Sequence, residues 1–184
     1  RTGGKSLREH QKRALDAVTA GLSTADRGKL IMACGTGKTF TSLRIAEAMA
    51  GSGGRVLFLV PSIALLSQTL MEWSAESEVP LRSFAVCSDT KVGKGRKRTS
   101  LSEDISVVDL AIPATTDGAA LDDRLTRRAA PVNGTVPMTV VFSTYQSIDA
   151  VAQAQKLGAP GFDLVICDEA HRTTGATVAG TDES

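Results

Sequence analysis

Apolar residues in this chain fall into short dense bursts, separated by stretches in which they recur every three or four positions. The bursts predict strands at residues 29–33, Arg55–Val60, 82–87, 138–142 and 162–167. The second is Val56-Leu57-Phe58-Leu59-Val60 with no polar break, the pattern of a parallel strand covered on both faces. Helical spacing predicts a helix opened by Ser6, with Glu9 three residues on as in a capping box, and Leu7, Ala14, Leu15, Val18 and Leu22 on its apolar face. Further helices are expected from residue 38 to about Ala50, over 64–73 behind a Ser62 cap, from Thr115-Thr116-Asp117 to about Arg128, and over 146–157. Gly51-Ser52-Gly53-Gly54 reads as a turn, and residues 88–104 are polar before an apolar stretch at 105–112. Strands alternating with helices imply an α/β fold with a largely parallel sheet. Ligands of such sheets gather beyond the carboxyl ends of the strands.

Composition narrows the class without naming a function. The 184 residues suffice for one domain with a substantial core, and 42% hydrophobic with 22% charged residues is ordinary for a globular protein. A net charge of +1 means that any contact with nucleic acid comes from local patches. Three cysteines without disulfide-like spacing fit a reducing compartment, and a cytoplasmic setting is expected. No apolar run reaches the length of a membrane span, so no membrane partner is expected. The chain opens on Arg1 and stops at Ser184 without a closing element, which reads as a segment of a longer protein.

Chemistry concentrates in two places. Leu30-Ile31-Met32-Ala33-Cys34-Gly35-Thr36-Gly37-Lys38-Thr39 is an apolar run, a glycine-rich turn and the start of a helical pattern. That order sets successive backbone N–H groups of Gly35, Thr36 and Gly37 around a phosphate, with Lys38 adding charge for the β- and γ-phosphates and the Thr39 hydroxyl coordinating Mg2+. Met32 stands where the full phosphate-loop pattern has its first glycine, and Cys34 reads as a small filler. The second place is Asp168-Glu169 after the last apolar run. Asp168 can hold the Mg2+ hydration shell opposite Thr39, and Glu169 can polarise an attacking water.

Together, Cys34-Gly35-Thr36-Gly37-Lys38-Thr39 and Asp168-Glu169-Ala170-His171 resemble motifs I and II of the superfamily 2 helicases and translocases, in the DEAH-box spelling. Leu7-Arg8-Glu9-His10-Gln11 resembles the leading adenine-recognition motif, Pro61-Ser62-Ile63-Ala64-Leu65-Leu66-Ser67-Gln68 motif Ia, and Ser143-Thr144-Tyr145-Gln146-Ser147 a later strand-touching motif. The last two spellings are closest to the motor subunits of restriction-type and related DNA-defence enzymes, and Met32 is usual in that superfamily.

The resemblance implies the first RecA-like lobe of a P-loop NTPase, a three-layer α/β/α domain over residues 1–171. Residues 172–184 would be a poorly ordered tail leading to a further motif and a second RecA-like lobe. ATP and Mg2+ are the implied cofactors, double-stranded DNA the implied polymer, and an RNA helicase lobe or a nucleotide-gated binding module the alternatives. The full-length protein would hydrolyse ATP, and the isolated lobe hardly at all. By the same resemblance Gln11 would read the adenine edge, and His171 would link nucleotide state to nucleic-acid grip. Ser62 and Thr144, otherwise ordinary caps, would contact nucleic-acid phosphates. The basic run from Lys91 to Arg98 reads as a solvated loop rather than a strand-binding arm. Trp73 and Tyr145 stand too far apart to suggest a base-stacking platform.

Overall fold

A computed structural model of the chain describes residues 5–33, 35–87 and 114–169. The helices are α1 (Glu9–Leu22), α2 (Lys38–Met49), α3 (Ile63–Glu76), α4 (Gly118–Thr126) and α5 (Ile148–Leu157). The strands are β1 (Arg55–Val60), β2 (Leu81–Val86), β3 (Ala114–Thr115), β4 (Met138–Thr144) and β5 (Leu164–Cys167). They pair side by side in the order β3-β2-β4-β1-β5, and every pairing is parallel.

The period of two along each strand sorts side chains to opposite faces. Val56, Phe58 and Val60 of β1, with Met138, Val140 and Phe142 of β4, pack against Leu43 of α2 and Leu66, Leu70 and Trp73 of α3. Leu57 and Leu59, with Val86 and Val141, face Leu121 and Leu125 of α4 and Val151 and Ala154 of α5. The expected three-layer α/β/α arrangement is therefore present, with two apolar cores back to back. All seven residues of β4 are buried. Trp73 is fully enclosed, its ring edge-on to Phe58 at 5.3 Å and to Phe142 at 5.5 Å between centroids.

Several local expectations are corrected. Residues 29–33 form no ladder with the sheet, and Ile31 is 80% exposed. An apolar run has strand propensity, but neighbouring backbone must complete the ladder. Here the segment runs beside α1 instead, so β5 is the sheet edge among the described residues. The cap of α1 is Arg8 rather than Ser6, because the Gln11 side chain, not that of Glu9, reaches back to the Arg8 N–H at 2.8 Å. A 3-10 turn, Tyr145–Ser147, precedes α5 where continuous helix was expected. Asp117 caps α4 as expected, accepting from Ala119 N–H at 2.9 Å, but the short β3 before it was not anticipated. Cys34, the basic run Lys91–Arg98, the apolar stretch 105–112, His171 and the tail 172–184 lie outside the described residues.

Candidate nucleotide site

The phosphate-loop glycines adopt the backbone for which glycine is needed. Gly35 and Gly37 have φ of 75° and 80°, a region that costs other residues roughly 1–2 kcal/mol. Thr36 stiffens the turn between them, its Oγ1 donating to the Ala33 carbonyl at 2.6 Å. Gly37 caps α2 without any side-chain hydrogen bond, and Thr41 N–H donates to the Gly37 carbonyl at 3.0 Å. The amides ahead of Thr41 have no carbonyl a turn earlier within the helix and converge on its open end. Their alignment with the helix dipole makes a seat for an anion, which fits a nucleotide phosphate.

The core fixes this seat from below. Phe40, Leu43, Ile45 and Ala46 bury the underside of α2, and the Trp73 indole N–H donates to the Thr39 carbonyl at 3.2 Å. At its far end α2 is tied to the α3–β2 turn. The Arg44 guanidinium lies on the Phe40 ring, pairs with Glu47 and Glu78, and donates to the Glu76 carbonyl. Glu47 in turn accepts from the N–H groups of Glu78 and Val79.

From above, α1 braces the loop. Gln11 is 5% exposed, and its Nε2 donates to the carbonyls of Thr36 at 3.1 Å and Gly37 at 3.4 Å. His10 Nε2 lies 3.1 Å from the same Thr36 carbonyl, which requires the proton on that nitrogen. A Cβ at Gly37 would stand 2.5 Å from Gln11 Nε2. Between α1 and residues 30–36 is an open cavity of about 460 Å³, lined by His10, Arg13, Ala14, Leu30, Met32 and Thr36 among others.

The acidic pair arrives from the sheet edge. Asp168 N–H continues the β1–β5 ladder by donating to the Leu59 carbonyl at 2.9 Å. The chain then turns sharply, and Glu169 has φ of 53°, a strained conformation for a residue with a side chain. That turn brings the Glu169 carboxylate to 3.5 Å from Lys38 Nζ. The Tyr145 hydroxyl donates to the Asp168 carbonyl at 2.9 Å. Burial, reinforced by the neighbouring Cys167, Asp168 and Glu169, pushes the Tyr145 phenol well above its ordinary value, so it stays a donor.

Gly35, Thr36, Gly37, Lys38, Thr39, Asp168 and Glu169 thus sit around the carboxyl ends of the parallel strands. A hydroxyl and a carboxylate, from Thr39 and Asp168, are the oxygen donors a hard cation such as Mg2+ takes. Ser62 and Thr144 lie at the same end, Thr144 opposite Val60 in the β1–β4 register. Both hydroxyls have partners: Ser62 Oγ accepts from Leu65 N–H at 3.3 Å, and Thr144 Oγ1 donates to Ser147 Oγ at 3.2 Å. The sequence reading gives Trp73, His10 and Tyr145 no role at this site, although His10 and Tyr145 stand inside two of the motifs. The signal for two of them is general, since buried indole and phenol groups need a partner for their polar atom.

Comparison with known proteins places this geometry. The family model for the type III restriction enzyme, res subunit, matches residues 4–181. The chain belongs to that family. Res-subunit kinship extends to solved structures. The chain is 44% identical, with a TM-score of 0.79, to the ATP-dependent Type ISP restriction-modification enzyme LlaBIII bound to DNA, over 96% of this chain and 11% of that one. A nuclease-deletion mutant of the Type ISP enzyme LlaGI, in complex with a DNA substrate mimic, gives 43% identity and a TM-score of 0.74 over 91% of this chain and 15% of that one. A probable helicase of African swine fever virus (isolate Tick/South Africa/Pretoriuskop Pr4/1996) is 32% identical over 170 residues, 91% of this chain and 16% of that protein. The replication restart protein PriA of Treponema pallidum (strain Nichols) is 36% identical over 100 residues, 53% of this chain and 15% of that protein. The all-parallel sheet is that of the RecA-like helicase domains of restriction enzymes. The chain spans between 11% and 16% of the length of these four proteins. Among its described residues, no helix is long and apolar enough to cross a membrane.

Proposed function

We propose that this chain is the ATP-binding lobe of an ATP-driven motor of the restriction or DNA-defence type, acting on double-stranded DNA in the cytoplasm together with a second RecA-like lobe of the same protein. The observation that carries the reading is the meeting of Lys38 and Glu169 at 3.5 Å, at a helix start that has no side-chain cap and two left-handed glycines before it. DNA rather than RNA is favoured by the two Type ISP relatives, which are described in complex with DNA or a DNA mimic.

In this reading the amides of Gly35 to Thr39 and the Lys38 ammonium receive the β- and γ-phosphates. Thr39 and Asp168 would hold Mg2+, which supplies charge neutralisation at the transferring phosphoryl group. Glu169 accepts the proton of the attacking water. Gln11 is assigned to the adenine edge; its Oε1 accepts from Arg8 N–H and its Nε2 donates to two carbonyls of the phosphate loop, so a base contact would be linked to the loop through one side chain. Ser62, Thr144 and the helix starts behind them are assigned to nucleic-acid phosphates, chiefly through backbone N–H groups, since both hydroxyls are engaged. His171 is assigned to coupling.

Lys38→Ala tests the assignment. Loss of a charge-assisted contact should weaken MgATP binding by about 2–3 kcal/mol, with an unchanged circular dichroism spectrum because the Lys38 side chain is 38% exposed. Titration with a fluorescent ATP analogue measures it, and equal affinities for wild type and variant would refute the phosphate-loop role.

A further inference from the structure

Tyr145 connects the apolar core to the acidic pair. Its ring packs against the cluster of Leu57, Leu59, Val141 and Val151 on the α4–α5 side of the sheet. Its backbone leaves the fully buried strand β4 and enters the 3-10 turn, which the Thr144–Ser147 hydroxyl bond holds closed. Ring and backbone are therefore both fixed, and the phenol oxygen reaches up to the Asp168 carbonyl at 2.9 Å.

That carbonyl lies in the same planar peptide as the Glu169 N–H. Fixing its direction fixes the plane from which the Glu169 φ of 53° departs. Rotation of this peptide redirects the Cα–Cβ bond of Glu169, and with it the carboxylate that meets Lys38. Strand β5 offers weak control here, since β1 is its one ladder neighbour among the described residues. We propose that Tyr145 is a positioning residue for ATP hydrolysis: its hydrogen bond to the Asp168 carbonyl holds the left-handed turn that aims the Glu169 carboxylate. The inference rests on the reading of Glu169 as the base that activates water.

Tyr145→Phe in the full-length protein removes the hydroxyl and keeps the ring. The expected result is a kcat for ATP hydrolysis lowered about 10–100-fold, with KM for ATP and the melting temperature close to wild type. Tyr145→Leu should lose as much kcat and, in addition, melt lower because the ring is gone. A purely structural Tyr145 predicts the reverse pattern, with Phe at wild-type kcat and only Leu impaired, and that result would overturn the proposal. A Tyr145→Phe defect confined to KM would overturn it too, because it would place the hydroxyl on the nucleotide. Glu169→Gln, assayed alongside, separates the two levels of the argument. If it hydrolyses ATP at the wild-type rate, the base assignment itself fails. If it is inactive while Tyr145→Phe is normal, only the positioning role falls.

Discussion

Strands β4 and β5 both come from short apolar runs and both end at the candidate site, yet they are held very differently. Every residue of β4 is buried, with β2 on one side and β1 on the other. No residue of β5 is fully buried, its neighbour is β1, and Val165 is 51% exposed. The two halves of the site inherit this difference. Lys38 and Thr39 begin a helix whose underside is core and whose first turn is pinned by Trp73. Asp168 and Glu169 hang from an edge strand, and the contacts that hold them include a ladder bond to Leu59, the Tyr145 phenol and the ion pair with Lys38. A binding cradle gains from rigidity before the ligand arrives. A proton acceptor must meet its partner only at the reacting step, and local mobility is tolerated there until closure.

The largest effects are expected on the firm side of the site. Trp73→Ala removes the largest fully buried side chain of the larger core and the donor to the Thr39 carbonyl, and should destabilise the lobe by about 3–5 kcal/mol in denaturant unfolding. A loss below about 1 kcal/mol would mean that α2 is not anchored through this residue. Gly37→Ala should come next. It forces a side chain to φ 80° and presses a Cβ against Gln11 Nε2, for a cost of about 1–2 kcal/mol and weaker MgATP binding, read by thermal shift with and without nucleotide.

Smaller changes probe the edge. Asp163 clamps the entry of β5, its carboxylate accepting from Arg55 N–H at 2.8 Å and its own N–H donating to the Arg55 carbonyl at 2.9 Å. Asp163→Ala should cost about 0.5–1.5 kcal/mol and speed amide exchange in β5 while leaving β4 protected. Val165→Thr should fall within about 0.5 kcal/mol of wild type, because half of that side chain already meets water. A larger penalty would show that the edge is covered in solution.

Much of this was legible in the residues. Val56 to Val60 reads as a buried parallel strand because nothing polar interrupts it, and Gly35, Gly37 and Lys38 announce an anion seat because a glycine-rich turn before a helix presents backbone N–H groups beside a cation. The run at 29–33 shows the limit. Its composition is that of a strand, but pairing depends on backbone brought from elsewhere, and periodicity carries no record of that. Gln11 illustrates a second limit. The resemblance gave it one task at the base, while the fold adds two carbonyls of the phosphate loop, at positions distant in sequence. Trp73 and Tyr145 were hardest to see, because their polar atoms act on backbone carbonyls and leave no mark on the partner's identity.

In the proposed reading the site divides its labour: the firm half binds the nucleotide, and the suspended half hydrolyses it. MgATP affinity and single-turnover hydrolysis, measured in one full-length protein for Lys38→Ala and Glu169→Gln, test it most directly. The two variants should show opposite signatures. Lys38→Ala should lose affinity, whereas Glu169→Gln should bind MgATP as wild type does and hydrolyse it about 10²–10⁴-fold more slowly. Wild-type hydrolysis by Glu169→Gln, or an equal loss of affinity in both variants, would contradict it.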